Sequence, residues 1–270
     1  MVVQHNLTAM NANRNLSTVT GAQQKSTEKL SSGYRINRAA DDAAGLSISE
    51  KLRSQIRGLD KAASNSQDGI SLVQVAEGAL NETHSILQRM NELATQAAND
   101  TNTSTDRASI QKEMDQLTSE IDRIRSTTQF NSMNLLDGTF TGMKLQVGAL
   151  SGQSIVISID NMNASSLKIS GLKVSSFSSA GKAMTAIQKA INSVSVQRSK
   201  LGAIQNRLEH TINNLNTTSE NTSAAESRIR DVDMATEMVE YSKNNILEQA
   251  GQSMLAQANQ ATQGVLSLLQ

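Results

Sequence analysis

The chain lacks several residue types that most folded proteins use. Among its 270 residues there is no proline, no cysteine and no tryptophan, and aromatic side chains make up 2% of the total. Because proline breaks helices, its absence favours long uninterrupted helices. The absence of cysteine excludes disulfides, thiolate metal sites and cysteine nucleophiles. So few aromatic rings argue against a compact globular core and against stacking on nucleic-acid bases.

The sequence also lacks net charge and recognisable membrane or secretion signals. Lysine plus arginine and aspartate plus glutamate number 25 each, so no overall field favours nucleic acid or an anionic membrane. No stretch approaches the roughly 18 apolar residues of a membrane span. The first residues lack the basic start and apolar run of a secretory signal, so we expect any export to proceed without a cleaved signal peptide.

Both ends of the chain carry small and apolar residues at helical spacing. Near the C-terminus they step by four and three, as along the contact line of a coiled coil: Leu247, Gly251, Met254, Ala258, Ala261, Val265 and Leu268. A matching set near the N-terminus comprises Leu7, Ala9, Ala12, Leu16 and Val19. We predict that the two ends pair as long helices. Because such a pair leaves apolar surface in water, we infer that further copies of the chain complete it.

The rest of the chain predicts further long helices. The first helix should end at Ser32, before Gly33, and Asp42 is expected to cap the second helix. Thr105 or Asp106 should cap a shorter third helix. A long helix should resume near residue 179 and end within residues 221–223. Apolar residues on these helices keep the same four-three step, and the second helix carries two such stripes, which indicates packing against more than one partner.

Between the third helix and the next one, the apolar period changes from helical spacing to two. Met143, Leu145 and Val147 alternate on one side of a turn, and Ile155 and Ile157 on the other, which predicts a β-hairpin. Residues 167–174 are expected to add a strand or turn. The predicted fold is mainly α: a long antiparallel helical rod or coiled coil with a β-hairpin region at about 139–175. The predicted domains are a terminal coiled coil, 1–44 with 230–270, and a rod, 45–229.

Residues that could carry catalysis are present but scattered. His5, His84 and His210 lie far apart in sequence and form no zinc-binding motif. Two carboxylate pairs, Asp41-Asp42 and Asp231-x-Asp233, lack the oxygen-rich loop of a cation site, so we predict that they cap helices and pair between helices. We expect no enzyme activity, no metal and no cofactor.

Several motifs in order give the chain a close resemblance to bacterial flagellins. They include the sequence SSGYRIN at 31–37, DDAAGL at 41–46 and NSQDGI at 65–70, followed by SRIRDVD at 227–233 and NILEQAG at 245–251. The resemblance covers residues 1 to about 140 and 180 to 270. Many flagellins carry large outer domains between the two helical halves, where this chain has only about 40 residues, so it resembles a minimal form.

The resemblance implies a structural subunit of the extracellular flagellar filament, used for motility. It implies export through the flagellar type III apparatus, with a chaperone bound to the C-terminal segment. It also implies that the filament grows under a cap protein and that junction proteins are further partners. The resemblance further implies that Toll-like receptor 5 recognises the monomer through Arg89, Leu93 and Glu113. The alternative is that Arg89 and Glu113 are ordinary surface charges and that Leu93 packs between helices. Nucleic acid and membranes are not expected partners.

Two other functions compete with the filament subunit. A hook–filament junction protein shares flagellin-like termini, although the full set of motifs argues against it. A cytoplasmic helical adaptor, or an enzyme built on a helical bundle, is disfavoured by the apolar last residues and by the missing site chemistry.

Overall fold

The structure, a computed structural model, describes residues 6–267 and the side chains of residues 6–260. Its elements in chain order are α1 (Leu7–Ser32), α2 (Ala43–Ala97), α3 (Ser104–Thr127), β1 (Gln129–Phe130), β2 (Met133–Asn134), β3 (Met143–Gln146), β4 (Ser154–Ile157), α4 (Phe177–Arg230) and α5 (Met234–Ser267). The prediction of a mainly helical chain with a small β-hairpin region is confirmed. No helix in the described range is long and apolar enough to cross a membrane.

Contacts divide the chain into two compact units. The central unit is Gln55–Glu220, and the terminal unit joins the chain up to Ser54 with the chain from Asn221 onward. Both α2 and α4 contribute residues to each unit. The domain limits expected from the sequence, near residues 44 and 230, stay a prediction.

The core of the central unit is made by the apolar stripes of its helices. Side chains at the predicted spacing on α2, α3 and α4 are buried together: Leu72, Ala76, Leu80, Leu87, Met90, Leu93, Ile110, Met114, Ile121, Ala183, Ile187, Ala190, Val194 and Leu201. Both stripes of α2 contribute to this one cluster, as Met90 and Leu87 show. Long aliphatic side chains therefore form this core almost without aromatic rings.

The segment between α3 and α4 packs onto this helical core. Strands β3 and β4 pair antiparallel with Met143 opposite Ile157 and Gln146 opposite Ser154, which confirms the hairpin. Beyond it, Ile159, Leu167 and Ile169 are buried in the same apolar cluster. Of the strand or turn expected at residues 167–174, the structure has turns, because backbone hydrogen bonds close locally, as from Ile169 N to the oxygen of Ala164.

Several helix ends differ from the sequence expectations. The cap of α3 is Thr103, and Asp106 is its partner in a capping box, since Thr103 N donates to Asp106 Oδ2 at 2.9 Å. A short β1–β2 hairpin that was not predicted follows α3, and Asn131 and Ser132 in its turn have positive φ. The cap predicted for α2 is confirmed, because Asp42 Oδ1 accepts a hydrogen bond from Gly45 N at 2.8 Å.

Helix α4 continues past the predicted end at residues 221–223 and reaches Arg230. Asn, Thr and Ser are poor helix formers, but they do not interrupt the backbone hydrogen bonds as proline would. The added turns make tertiary contacts that offset the poor propensity: Ser49 Oγ donates to Glu226 Oε1 at 2.7 Å, and Arg230 forms an ion pair with Glu50 at 3.2 Å.

Candidate self-assembly surface

The terminal unit is built around an antiparallel pair of helices, α1 and α5. Asn6 Nδ2 donates to the backbone oxygen of Ala258 at 2.9 Å near one end, and Lys29 Nζ lies 3.3 Å from Glu237 Oε2 near the other. Between these contacts, Leu16 packs against Gly251. The pairing of the N- and C-terminal helices predicted from the sequence is therefore confirmed.

The stripe predicted on α1 has its side chains partly buried. Ala9, Ala12, Leu16 and Val19 are half-buried, whereas Leu7 is exposed. The step of four and three explains this, since it keeps Ala9, Ala12, Leu16 and Val19 on one side of the helix. Leu7 stands outside that step.

The less exposed positions of α5 are mostly polar. They follow one line along the helix: Glu237, Tyr241, Asn244, Glu248, Gly251, Leu255 and Ala258. A Cβ added to Gly251 would lie 3.2 Å from Leu16 Cδ1, so the glycine permits a close approach of the two helices. Asn244 is buried, and its Nδ2 has no hydrogen-bond partner among the described residues. Polar side chains thus occupy much of the line where a coiled coil usually has leucine.

Several large apolar side chains of α5 are exposed, beside the contact line and on the far side of the helix. Val239 is 71% exposed, Ile246 67% and Met254 60%, and Leu247 is also exposed. Met238, Val239, Ile246 and Leu247 line a shallow groove of about 520 Å³. We call Val239, Ile246, Leu247 and Met254 the outer face of α5. An amphipathic helix normally turns its apolar side inward, whereas these four apolar side chains of α5 face outward.

The stripe predicted on α5 is thus divided between the contact line and the exposed surface beside it. Gly251 and Ala258 are half-buried in the contact line, but Leu247 and Met254 lie on the outer face. The contact line with α1 runs through Asn244, Gly251 and Leu255, so Leu247 and Met254 lie beside it. The side chains of Ala261 and Val265, and all of Leu268, lie outside the described residues. The role of the whole stripe in self-assembly stays a prediction.

A compact set of contacts joins α1 to the start of α5. Gly33, at a φ of 75°, ends α1, and its backbone oxygen accepts from Val232 N at 3.1 Å. Tyr34 pairs with Asp231 in an isolated β-bridge, and the Arg230 guanidinium lies 4.5 Å from the centre of the Tyr34 ring. These contacts fix where the two helices begin their pairing.

The carboxylates near this junction bind backbone amides. Hydrogen bonds from the backbone N–H groups of Arg38 and Asn37 lower the pKa of Asp41, the Arg38 bond having the larger effect. The backbone N–H of Thr236 is likewise the main cause of the lowered pKa of Asp233, which caps α5. Asp231 accepts a hydrogen bond from Ser227 Oγ at 2.6 Å. The predicted capping is confirmed at Asp42 and Asp233, whereas the side-chain hydrogen bonds of Asp41 and Asp231 are local and do not join two helices.

The proposed receptor residues are only partly accessible. Arg89 and Glu113 lie on the surface of α2 and α3, with Arg89 Nη2 3.0 Å from Glu113 Oε1. This hydrogen bond is the main cause of the raised pKa of Arg89. Leu93, in contrast, is 1% exposed and belongs to the core of the central unit.

Nothing in the described part of the chain resembles a catalytic or metal centre. No group of three or more histidine, aspartate and glutamate side chains there could hold a metal ion. His84 is on α2, with its Nε2 3.1 Å from Gln88 Nε2. The most extensive feature without an internal partner is the outer face of α5.

Comparison with known proteins places this geometry in a family. Residues 3–141 match the model of the bacterial flagellin N-terminal helical region, and residues 184–269 match that of the C-terminal helical region. The flagellin of Halalkalibacterium halodurans is 57% identical over 271 residues, covering 100% of both chains. The flagellin of Bacillus subtilis is 52% identical over 304 residues, again with 100% of both covered.

Solved structures agree with these matches. Bacillus cereus flagellin shares 34% identity at a TM-score of 0.52, over 60% of this chain and 94% of that one. A putative flagellar hook-associated protein from Vibrio parahaemolyticus gives a TM-score of 0.60 over 71% of this chain and 100% of that one, but at 14% identity it shows only a shared fold. On the two family models and the full-length relatives, the chain belongs to the bacterial flagellin family.

Proposed function

We propose that the chain is a structural subunit that self-assembles into the helical filament of the bacterial flagellum through the outer face of α5. The observation that carries this proposal is the exposed apolar outer face of α5, which lies beside a contact line with α1 that is largely polar. The relatives include a protein of Treponema phagedenis described as a flagellar filament 33 kDa core protein, 50% identical over 285 residues.

Burial of the outer face supplies a physical reason to polymerise. Burying a large apolar side chain stabilises by about 1.5–3 kcal/mol, so four partly exposed ones offer on the order of 5 kcal/mol per contact. In the proposed filament a neighbouring subunit covers the outer face with a different patch, because two outer faces that cover each other would give a closed pair. Contacts between unlike patches build an open helix when the rotation between subunits does not close a ring.

The direct test is polymerisation of purified monomer carrying Val239→Gln. The matched control is Val196→Gln, because Val196 is also an exposed valine, 55% accessible, on a long helix. Losing apolar burial at Val239 should raise the critical concentration for assembly about tenfold. The control should assemble like the parent chain. Electron microscopy and pelleting measure the outcome, and equal assembly by both variants would remove the outer face from the filament contact.

Within this filament we assign residues 1–44 and 230–270 to an inner core and 45–229 to a rod outside it. Deleting residues 261–270 is expected to abolish filaments, because the apolar stripe of the C-terminal segment continues through them. Electron microscopy of seeded reactions, with the intact chain alongside, tests this. Long filaments from the truncated chain would exclude that segment from the assembly contacts.

Export and assembly partners follow from the family and are part of the same proposal. The chain leaves the cell through the flagellar type III apparatus without a cleaved signal peptide. A chaperone binds its C-terminal segment, and the filament grows under a cap beyond junction proteins. A strain without the export apparatus should retain the full-length protein inside the cell, and secretion by that strain would refute this route.

Recognition of the monomer by Toll-like receptor 5 is a further proposal, supported by the exposed Arg89–Glu113 pair. Arg89→Ala should weaken receptor binding with little change in thermal stability, because both charges are on the surface. Leu93→Ala should lower stability as well, since Leu93 packs in the core. Full receptor signalling by the Arg89 variant would argue against this site.

A further inference from the structure

A groove with three lysines lies on the central unit, between the start of α4 and the turn at residues 163–169. It has a volume of about 700 Å³, and Lys168, Lys182 and Lys189 line it together with serine and threonine side chains. No acidic side chain lines it. Lys200, further along α4, forms an ion pair with Asp160 at 3.4 Å. Within the described residues the three groove lysines make no ion pair, so their charge is available to a ligand.

Lys168 occupies a backbone position that usually belongs to glycine. Ile169 N donates to the Ala164 oxygen at 2.9 Å and Lys168 N to the Ser165 oxygen at 3.1 Å, the two bonds of a Schellman motif. Lys168 is the left-handed residue of that motif, with a φ of 58°. Glycine adopts this conformation without strain, and asparagine tolerates it, but lysine has no such advantage. A strained residue whose side chain lines a groove points to a use for that side chain.

The surroundings of the lysines indicate which anion would fit. Ser178, Thr185 and Ser193 place hydroxyl groups along the groove. A neighbouring groove of about 410 Å³ shares Ser166, Leu167 and Ser193 and adds the amide side chains of Asn161 and Asn192. The acidic residue in its lining, Asp160, is paired with Lys200. Hydroxyls and amides suit hydrogen bonding to sugar hydroxyls. Neither groove has an aromatic residue in its lining, and single-stranded nucleic acids usually stack their bases on such rings.

The positions of the lysines favour a ligand with repeated charges. Lys182 and Lys189 are seven residues apart, which places them on one side of α4 and about 10 Å apart along its axis. α4 begins at Phe177, so the positive end of its dipole lies at the same end of the groove as Lys182. A chain carrying spaced anions meets each lysine in turn, without requiring the lysines to converge on one point.

We propose that this lysine groove binds an acidic polysaccharide, a linear glycan carrying sulfate or carboxylate groups. Lys168, Lys182 and Lys189 contact the anions, and the serine, threonine and asparagine side chains contact the sugar hydroxyls. Binding here is independent of the outer face of α5, because none of its residues lines the groove. Glycan binding at this groove can therefore be tested independently of filament assembly.

The test is binding of the full-length monomer to immobilised heparin, hyaluronate, neutral dextran and single-stranded DNA at low salt. Heparin carries sulfates and hyaluronate only carboxylates, so these two arms show which anion is preferred. The parent chain should bind one or both and ignore dextran, and salt should weaken the binding by screening. Tighter binding to DNA than to either glycan, or no glycan binding, would overturn the proposal.

Two triple variants separate the groove from general charge. Lys168→Gly with Lys182→Gln and Lys189→Gln should lower affinity for the preferred glycan at least about 30-fold, since an exposed ion pair contributes roughly threefold to fivefold. The control replaces three lysines outside the groove with glutamine, namely Lys61, Lys112 and Lys144. It removes the same charge and should change affinity less than about threefold. Equal losses in the two variants would refute a specific groove.

Lys168→Gly alone distinguishes a binding role from a structural one. Glycine relieves the left-handed strain at this position, so the thermal midpoint of the central unit should stay constant or rise. Glycan affinity should nevertheless fall about threefold to fivefold, because one cationic contact is lost. A variant that is stabilised and binds like the parent chain would show that Lys168 takes no part in binding.

Discussion

The same substitution at two glycines of α2 should have opposite effects on stability. Gly58 and Gly78 both lie within this helix. A Cβ at Gly58 would lie 2.9 Å from Ala149 Cβ and 3.3 Å from Ala149 Cα, in the loop between β3 and β4. A Cβ at Gly78 would meet nothing within 4 Å. Only Gly58 therefore gives the loop room to approach the helix.

The size of each effect can be worked out from these contacts. Gly→Ala in a helix stabilises by about 0.5–1 kcal/mol through backbone entropy, and Gly78→Ala should show this gain in full. Gly58→Ala gains the same amount but forces the loop at Ala149 outward, and overpacking of this kind costs about 1–3 kcal/mol. The two variants should differ by roughly 1–3 kcal/mol in free energy of unfolding, with Gly58→Ala the less stable.

Urea unfolding of the full-length monomer, followed by circular dichroism at 222 nm, measures this difference. Amide exchange supplies a local reading: protection of the β3–β4 hairpin should fall in Gly58→Ala and stay constant in Gly78→Ala. Equal stabilisation by both substitutions, with unchanged hairpin protection, would mean that the loop does not rest against α2 at Gly58.

Two further predictions concern charged groups. Hydrogen bonds from the side chain and backbone of Thr103 lower the pKa of Asp106 from its usual 3.8. The cap of α3 is therefore intact above pH 3.8 and is lost as the pH falls through the lower pKa of the folded state. Amide exchange at the start of α3 should rise in that range, and Asp106→Asn should remove this pH dependence. Lys29→Met should destabilise the terminal unit by about 2 kcal/mol, because the Glu237 side chain, 10% exposed, loses its partner. Lys243→Met breaks an exposed ion pair and should cost less than about 0.5 kcal/mol. Tyrosine fluorescence during unfolding measures the stability of both variants, since both tyrosines lie in the terminal unit.

The core of the central unit could be predicted because its pattern repeats many times. On α4, Ala183, Ile187, Ala190 and Val194 keep the four-three step, and all four are buried. Over several turns, no other secondary structure places such a set on one side. The β3–β4 hairpin was predictable for the same reason, since its period of two contrasts with the helices on either side.

Features that depend on a single contact could not be predicted. The turn at Asn131 and Ser132 contains no glycine that would indicate it in the sequence. Helix α4 continues through residues 221–223 because of ion pairs and hydrogen bonds that later residues of the helix make. The lysine groove brings Lys168 beside Lys182 and Lys189 only after the 163–169 turn packs on α4. The unusual backbone of Lys168 has no signature in the sequence.

The apolar stripe of α5 shows a different limit, because spacing identifies the sides of a helix but not what covers each side. The four-three step groups Leu247 and Met254 with Gly251 and Ala258, yet only Gly251 and Ala258 are half-buried in the contact line with α1. A filament subunit keeps apolar surface for its neighbour and can pair its own helices through polar side chains such as Glu237 and Asn244. A buried polar residue in a helix pair fixes register at the expense of stability. The α1–α5 pair should therefore be weakly protected from amide exchange in the monomer and strongly protected in filaments, and equal protection in both states would show that assembly does not stabilise this pair.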